Sequence, residues 1–463
     1  MESVSCARGS VTPSDKVTAM AALDLGNLDV ALVQPGEAGW EGARQAWNLA
    51  ADQRPVAVVL PETAADVAAV VDFARERGLR VTPQATGHRA GALASLERTL
   101  LLKTSRMRAV EVDAGRQEAR VEAGAQWGDV VEPAAEHGLA ALAGTSPGVG
   151  IVGYTLGGGL GWLGRKYGLA ANSVLAAELV TADGQALRVD LDHEPELFWA
   201  VRGGGGGLGV VTALEFRLYP VRTLYAGDLF WPIERAGEVL HAWRSWVESV
   251  PDEMTSLGRL LHMPPLPQIP EPFRGRSFVS VESAYLGDEG DGRELLEPLR
   301  GLAPELDTVA TIAPPGLAAL HMDPPEPVPG VGDGALLEAL PAEAVDAVVE
   351  VAGPDSDTAL LTLEIRALGG ALARTSPDGG ALAALDAPFA VFGAGMATPD
   401  RAEAVAAGVD AIHDALAPWE SARTFFNFSE RPREPDAFFA VETLRRLREQ
   451  KRRVDPDELF RVS

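Results

Sequence analysis

Apolar runs set against polar positions divide the chain into elements. Val56-Ala-Val-Val-Leu60 is unbroken apolar sequence, the pattern of a strand buried on both faces. Thr63 then stands three residues before Asp66, a helix-start signature, and Val67, Val70, Val71 and Ala74 repeat at helical spacing. Gly78 closes that helix and Leu79-Arg-Val81 resumes as a strand, which completes a strand–helix–strand unit. From 99 to 220 strands and turns are predicted to dominate. Leu100–Lys103, Ala119–Glu122, Leu175–Thr181 and Val210–Leu218 read as strands, and Asp183-Gly184 turns a hairpin into Gln185–Val189.

Beyond Pro220 the texture changes. Helical patterns at Ala236–Val250 and Arg401–Leu416 alternate with strands at Phe278–Tyr285, Leu360–Arg366 and Phe389–Ala394. The stretches 263–275 and 323–331 read as loops, and Phe438–Val454 as a basic helix. Residues 221–420 are therefore expected to form a second, α+β unit. Residues 1–27 lack sustained periodicity and read as a tail.

Charge and composition narrow the function classes. Forty Lys and Arg against 66 Asp and Glu leave a net charge of −26, which disfavours nucleic acid and anionic membrane as partners. The one cysteine, Cys6, excludes an internal disulfide and a thiolate metal cluster. No metal-ligand spacing joins the seven histidines, so no metal is expected. Without an apolar run of transmembrane length or a signal-peptide pattern, a cytoplasmic protein is expected.

Glycine concentrates at Thr86-Gly87-His88, from Gly144 to Gly161, and from Gly203 to Gly209. Gly148-Val-Gly-Ile-Val-Gly153 matches a dinucleotide fingerprint, yet Ala143-Gly-Thr-Ser-Pro147 before it is no central strand, as that motif requires. Gly144-Thr-Ser-Pro-Gly148 matches a nucleophile elbow, but Pro147 has no N–H to give an oxyanion. No Walker loop exists. What remains is a set of loops whose backbone can approach a ligand closely and whose N–H groups can cradle anions, which suits a long ligand with a central pyrophosphate.

At these residues the sequence resembles the FAD-linked oxidases of the vanillyl-alcohol-oxidase type, in the berberine-bridge-enzyme-like branch. The ordered matches are Arg54 to Asp66, Gln84-Ala-Thr-Gly-His88, Ser146 to Gly153, Leu156-Gly-Gly-Gly-Leu-Gly161, Glu196 to Gly206, Gly209-Val-Val-Thr212, Leu363 to Ala371, Phe426-Asn-Phe428 and Val454-Asp-Pro456. They span most of the chain. The resemblance implies an α+β fold. A two-part PCMH-type FAD-binding domain, 28–220 and 421–463, would carry a substrate domain, 221–420, with an antiparallel sheet over the flavin.

Residue by residue, the resemblance implies that Gln84, Ala85, Thr86 and Gly87 cradle the FAD pyrophosphate and that His88 bonds covalently to the flavin. Ser146 stands where doubly linked relatives carry cysteine, so one covalent bond is expected, not two. Gly150, Gly153, Tyr154, Gly158, Val210, Val211, Asn427 and Phe428 complete the expected cofactor contacts.

The implied reaction takes hydride from an alcohol- or amine-bearing carbon of a small molecule, with O2 as acceptor. Phe425 replaces the tyrosine that many relatives place two residues before the Asn, so the base must lie elsewhere. Strand alternation puts Glu364 and Arg366 on one face, opposite Leu363 and Ile365. If that face covers the flavin, Glu364 is a candidate base and Arg366 favours a carboxylate or phenolate. Tyr154 is a third catalytic candidate. A flavin dehydrogenase with another acceptor, a non-catalytic FAD-binding protein and a nicotinamide-dependent dehydrogenase stay open as alternatives. Subunit number stays open too.

Overall fold

The computed structural model describes residues 28–93, 96–376 and 378–461, so the expected tail at 1–27 lies outside the described residues. Three sheets organise it. The first has four strands in the order Leu32–Val33, Ala57–Val59, Thr99–Lys103, Arg80–Gln84, with the last three parallel. The helix Ala64–Glu76 crosses between two of them. It starts where the sequence signals: the Asp66 N–H donates to Thr63 Oγ1 at 3.1 Å and the Thr63 N–H to Asp66 Oδ2 at 3.0 Å. Its Val67, Val70, Val71 and Ala74 pack on Val59, Val81 and Leu100.

A five-stranded antiparallel sheet follows, in the order Val110–Asp113, Glu118–Glu122, Val210–Arg217, Val174–Val180, Ala186–Val189. Helices interrupt the strands and turns that were expected to dominate here. Trp127–Glu136 is a helix, and Ile151–Leu156 a short one. Pro133 within the first of these reads as a breaker, yet Trp127, Val130 and Ala134 bury one helical face in the core. Burial outweighs that local penalty.

The third sheet has eight strands, all antiparallel. Its central order is Leu224–Pro232, Ser277–Tyr285, Met254–His262, Thr362–Ala367, Phe389–Met396, Gly330–Leu337. One face is apolar. Trp231, Leu260, Val279, Val281, Leu363, Ile365 and Val391 pack there against the helices Ala236–Val247, Glu289–Arg300, Ala342–Ala352 and Ala402–Leu416. The other face turns toward the first part of the chain, where Leu257, Ala226 and Ala284 join a core with Tyr154, Trp162 and Val211.

The chain's end returns to its beginning. The helix Val441–Val454 places Leu444 and Leu447 in the core of the five-stranded sheet, and Leu459 and Phe460 pack beside Val67 and Val81. Among the described residues no helix is long and apolar enough to cross a membrane.

Candidate active site

Three glycine loops converge between the sheets. The first follows the strand Arg80–Gln84. Gly87 has φ +85°, and a Cβ there would lie 2.8 Å from Gln84 Nε2 and 2.9 Å from Ala46 Cβ, so only glycine fits. Gly150 abuts this loop, facing Ala85 and Thr86, while a Cβ at Gly153 would meet nothing within 4 Å. The second loop is held by Asn427. Its Oδ1 accepts from the Gly159 N–H at 3.1 Å and its Nδ2 donates to the Tyr154 carbonyl at 3.1 Å. Gly157 lets it come this close, because a Cβ would stand 2.9 Å from the amide. The third loop joins the second where the Gly205 N–H donates to the Leu156 carbonyl at 2.9 Å. Val210 and Val211 follow that loop at the start of their strand, both buried and opposite Val180 and Leu179.

His88 sits on the first loop with its ring stacked on Trp47, centroids 4.1 Å apart. Nδ1 pairs with the Thr86 hydroxyl at 2.8 Å. Nε2 is enclosed and has no hydrogen-bond partner. Burial pushes the imidazole down to about 4, with Asp323 opposing it. The ring is therefore neutral near pH 7, and its Nε2 is left without a partner in either tautomer.

The polar face of the third sheet supplies the opposite wall. In antiparallel register, residues directly opposite share a face. Asp228 stands opposite Glu282, Glu282 opposite Leu257, and Arg259 opposite Glu364. Arg259, Glu282, His321, Glu364 and Arg366 form one buried ladder of alternating charge, with Asp228 beside Glu282. Arg259 Nη1 donates to Glu282 Oε1 at 2.8 Å, and Glu282 Oε2 meets His321 Nδ1 at 2.7 Å. His321 Nε2 lies 2.9 Å from Glu364 Oε2, and Arg366 Nε donates to Glu364 Oε1 at 2.6 Å. Arg259 also donates to the His321 carbonyl at 2.7 Å.

The ladder sets its own protonation. Burial alone would raise Glu364, but Arg366 and His321 hold it well below the usual carboxylate range. Burial and Arg259 push His321 down, and Glu282, Asp323 and Glu364 outweigh them, raising it to about 9. Burial and the neighbouring Glu282 raise Asp228 well above an ordinary carboxyl. Asp323 stands at the rim: it accepts from the Thr145 hydroxyl at 2.8 Å and lies 3.8 Å from His321 Nε2.

Two catalytic expectations change on this geometry. Glu364 is on the predicted face, but its two cationic partners make it a poor proton acceptor. Tyr154 is not free for catalysis: its phenol donates to the Leu142 carbonyl at 3.3 Å, its ring packs edge-on against Trp127, and burial raises its ionisation. Arg366 has its guanidinium carbon 5.2 Å from the centre of the Phe428 ring. Phe425 lies in an apolar cluster with Leu160 and Leu385, and Ser146 lines a cavity of about 60 Å³ with Trp127 and Trp162. Arg366, Leu160, Gly161 and Trp162 adjoin a smaller cavity of about 10 Å³, room for one water.

Asp228, Arg259, Glu282 and His321 escaped the sequence reading. Period-two alternation through Phe278, Ser280, Glu282 and Ala284 marks Glu282 as sharing a face with buried residues. His321 follows a short 3-10 turn and has no motif at all.

Residues 55–190 match the family described as an FAD binding domain. Over 201 residues the chain is 38% identical to (R)-6-hydroxynicotine oxidase of Paenarthrobacter nicotinovorans, covering 43% of this chain and 44% of that protein. The chain spans about half the length of the curated relatives it matches. Among solved structures, BBE-like 1 of Physcomitrella patens superposes with a TM-score of 0.81 at 20% identity, over 94% of this chain and 96% of that one. The 6-hydroxy-D-nicotine oxidase of Arthrobacter nicotinovorans superposes with a TM-score of 0.79 at 24% identity, over 96% and 98%. Residues 55–190 thus match an FAD binding domain, within a fold that this chain shares with a berberine-bridge-enzyme-like protein and 6-hydroxynicotine oxidase.

Proposed function

We propose that this protein is an FAD-dependent oxidase of a small organic molecule. The flavin is held by 28–220 and 421–463, and 221–420 covers it. The observation that carries this reading is His88 Nε2, an enclosed ring nitrogen with no partner on a neutral imidazole. A buried polar atom left unsatisfied costs about 1–3 kcal/mol, so such an atom on a glycine loop points to a group that completes it. Bound there, FAD supplies two-electron chemistry, taking hydride from a substrate carbon with O2 as the acceptor.

The chain's own residues do the rest. His88 would hold the flavin through its unpartnered ring nitrogen. The backbone of Gln84 to Gly87 and Gly150 would hold its phosphates, and Asn427, which fixes the Gly157–Gly159 loop, would steady that loop beside it. Ser146 has no thiol, so His88 would be the single point of covalent attachment. The ladder from Arg259 to Arg366 closes the opposite side and keeps fixed charges there in place of water.

The test is purification followed by acid precipitation. Yellow colour that stays with the denatured chain, and leaves it in His88→Ala, supports the reading. Protein that is colourless and takes up no added FAD overturns it. A second reading, FAD binding without oxidation, is favoured by Phe425 in the place of a tyrosine and by Glu364 held as a carboxylate. Oxygen consumption across a panel of alcohols and amines separates the two, and flavin reduction without oxygen uptake marks a dehydrogenase.

A further inference from the structure

We propose that the compound oxidised at this site is an aromatic acid, whose carboxylate or phenolate pairs with the terminal nitrogens of Arg366, and that His321 is the positioning residue which aims that guanidinium by fixing Glu364. The proposal rests on the oxidase reading above and names its substrate class.

Arg366 is held firmly through one atom and only loosely through a second. Nε donates to Glu364 Oε1 at 2.6 Å. Nη2 lies 3.4 Å from His321 Nε2, a long contact at the edge of hydrogen-bond range. Nη1 has no acceptor among the described residues and is not among the enclosed unpartnered atoms, so it reaches open space. A guanidinium has five N–H donors in a planar fork that matches a carboxylate or phenolate. With its side chain only 13% exposed, water meets little of the demand that remains.

The contacts of the ladder also count in favour of an anion. Arg259, His321 and Arg366 are three cations in direct contact with two carboxylates, Glu282 and Glu364. Asp323 balances the excess only from the rim, where its side chain is 28% exposed and lies beyond hydrogen-bond reach of His321. At the Arg366 end the positive charge is therefore the one left to pair.

The surroundings choose the kind of anion. Phe428 lies beside the guanidinium, Phe392 packs on Phe428 with centroids 5.5 Å apart, and Trp162 shares a cavity with Arg366. Flat aromatic walls around one buried cation favour a flat, apolar body with a single charged group.

His321 acts through Glu364. Carboxylates lie against both of its ring nitrogens, Glu282 at 2.7 Å and Glu364 at 2.9 Å, so the ring is not free to hold substrate as well. Its charge stands against Glu364 Oε2, the oxygen that does not hold Arg366, and holds the carboxylate in place by ion pairing.

The test uses flavin-loaded protein and two probes of equal shape, benzoate and benzamide. Binding is followed by perturbation of the flavin spectrum and by the melting temperature. Benzoate is expected to bind at least tenfold more tightly than benzamide. Arg366→Gln should shrink that preference to about twofold, Arg366→Lys should keep part of it, and His321→Gln should weaken benzoate severalfold with benzamide unchanged. Equal binding of the two probes by the unaltered protein, or a preference that survives Arg366→Gln, overturns the anion site. A benzoate affinity untouched by His321→Gln overturns the positioning role. Flavin content is measured first, because protein that binds no flavin sinks the oxidase reading and this one together, whereas loaded protein indifferent to benzoate sinks only this one.

Discussion

His321 Nε2 lies 2.9 Å from Glu364 Oε2, a contact between a loop and a strand that neighbouring sequence does not announce. Through it the ladder becomes one unit, with Glu282 on the other ring nitrogen at 2.7 Å. A buried unit of this kind stands or falls as a whole, because each charge is solvated by its neighbours instead of by water.

Glu364→Gln should therefore destabilise the protein by about 3–5 kcal/mol, the range for breaking a buried ion pair from one side. Urea unfolding at neutral pH measures it. Glu364→Gln and His321→Gln together should cost less than the sum of the singles, since the two residues share one contact.

His321 also makes stability depend on pH in the alkaline range. Its pKa rises from 6.5 in the unfolded chain to about 9 in the fold. A raised basic group stabilises fully below the unfolded value and loses that contribution as pH climbs through the folded one. Stability should fall between about pH 7 and 9, by up to about 3 kcal/mol, and His321→Gln should flatten that slope.

Glu430 gives a second pH dependence, at lower pH. Burial raises its carboxyl to about 7, aided by Asp333 and opposed by the Gly332 N–H and Arg89. A raised acid costs stability as pH rises from its unfolded value through its folded one. Glu430→Gln can keep the acceptor for the Gly332 N–H, now 3.1 Å from Oε2. It should stabilise the protein by about 1–2 kcal/mol at pH 8 and leave it unchanged at pH 4, as part of the side chain remains accessible and water trims the full effect.

Asn427→Ala should cost about 1–3 kcal/mol, because the Gly159 N–H and the Tyr154 carbonyl both lose their partner. Asn427→Asp keeps the acceptor and loses the donor, and should fall between the two. Denaturant melts and retained flavin report both effects.

Tyr154→Phe separates a core tyrosine from a catalytic one. Removing the hydroxyl that donates to Leu142 should cost about 1 kcal/mol and leave flavin content unchanged. A change in the flavin spectrum without loss of stability would place the phenol at the cofactor.

By itself the sequence determined the elements whose cause is local. The helix Ala64–Glu76 is written in its Thr63–Asp66 cap and apolar stripe, and the strand Thr362–Ala367 in its alternation, which puts Glu364 and Arg366 on one face. Glycine spacing likewise marks the loops, since a chain that must pass close to its neighbours tolerates no side chain there. Tertiary structure alone decided what depends on register and on distance along the chain. The strand Leu224–Pro232 is buried on both faces and shows no alternation, and the helix Trp127–Glu136 overrides its own Pro133 by packing on the core. His321 meets residues 39 and 43 positions away, and Tyr154 turns its phenol inward to a carbonyl. For Glu364, a residue type and a face suggest a base, whereas the cations that fix its charge come from elsewhere in the fold. Protonation belongs to the neighbours a residue acquires, and only folding supplies them.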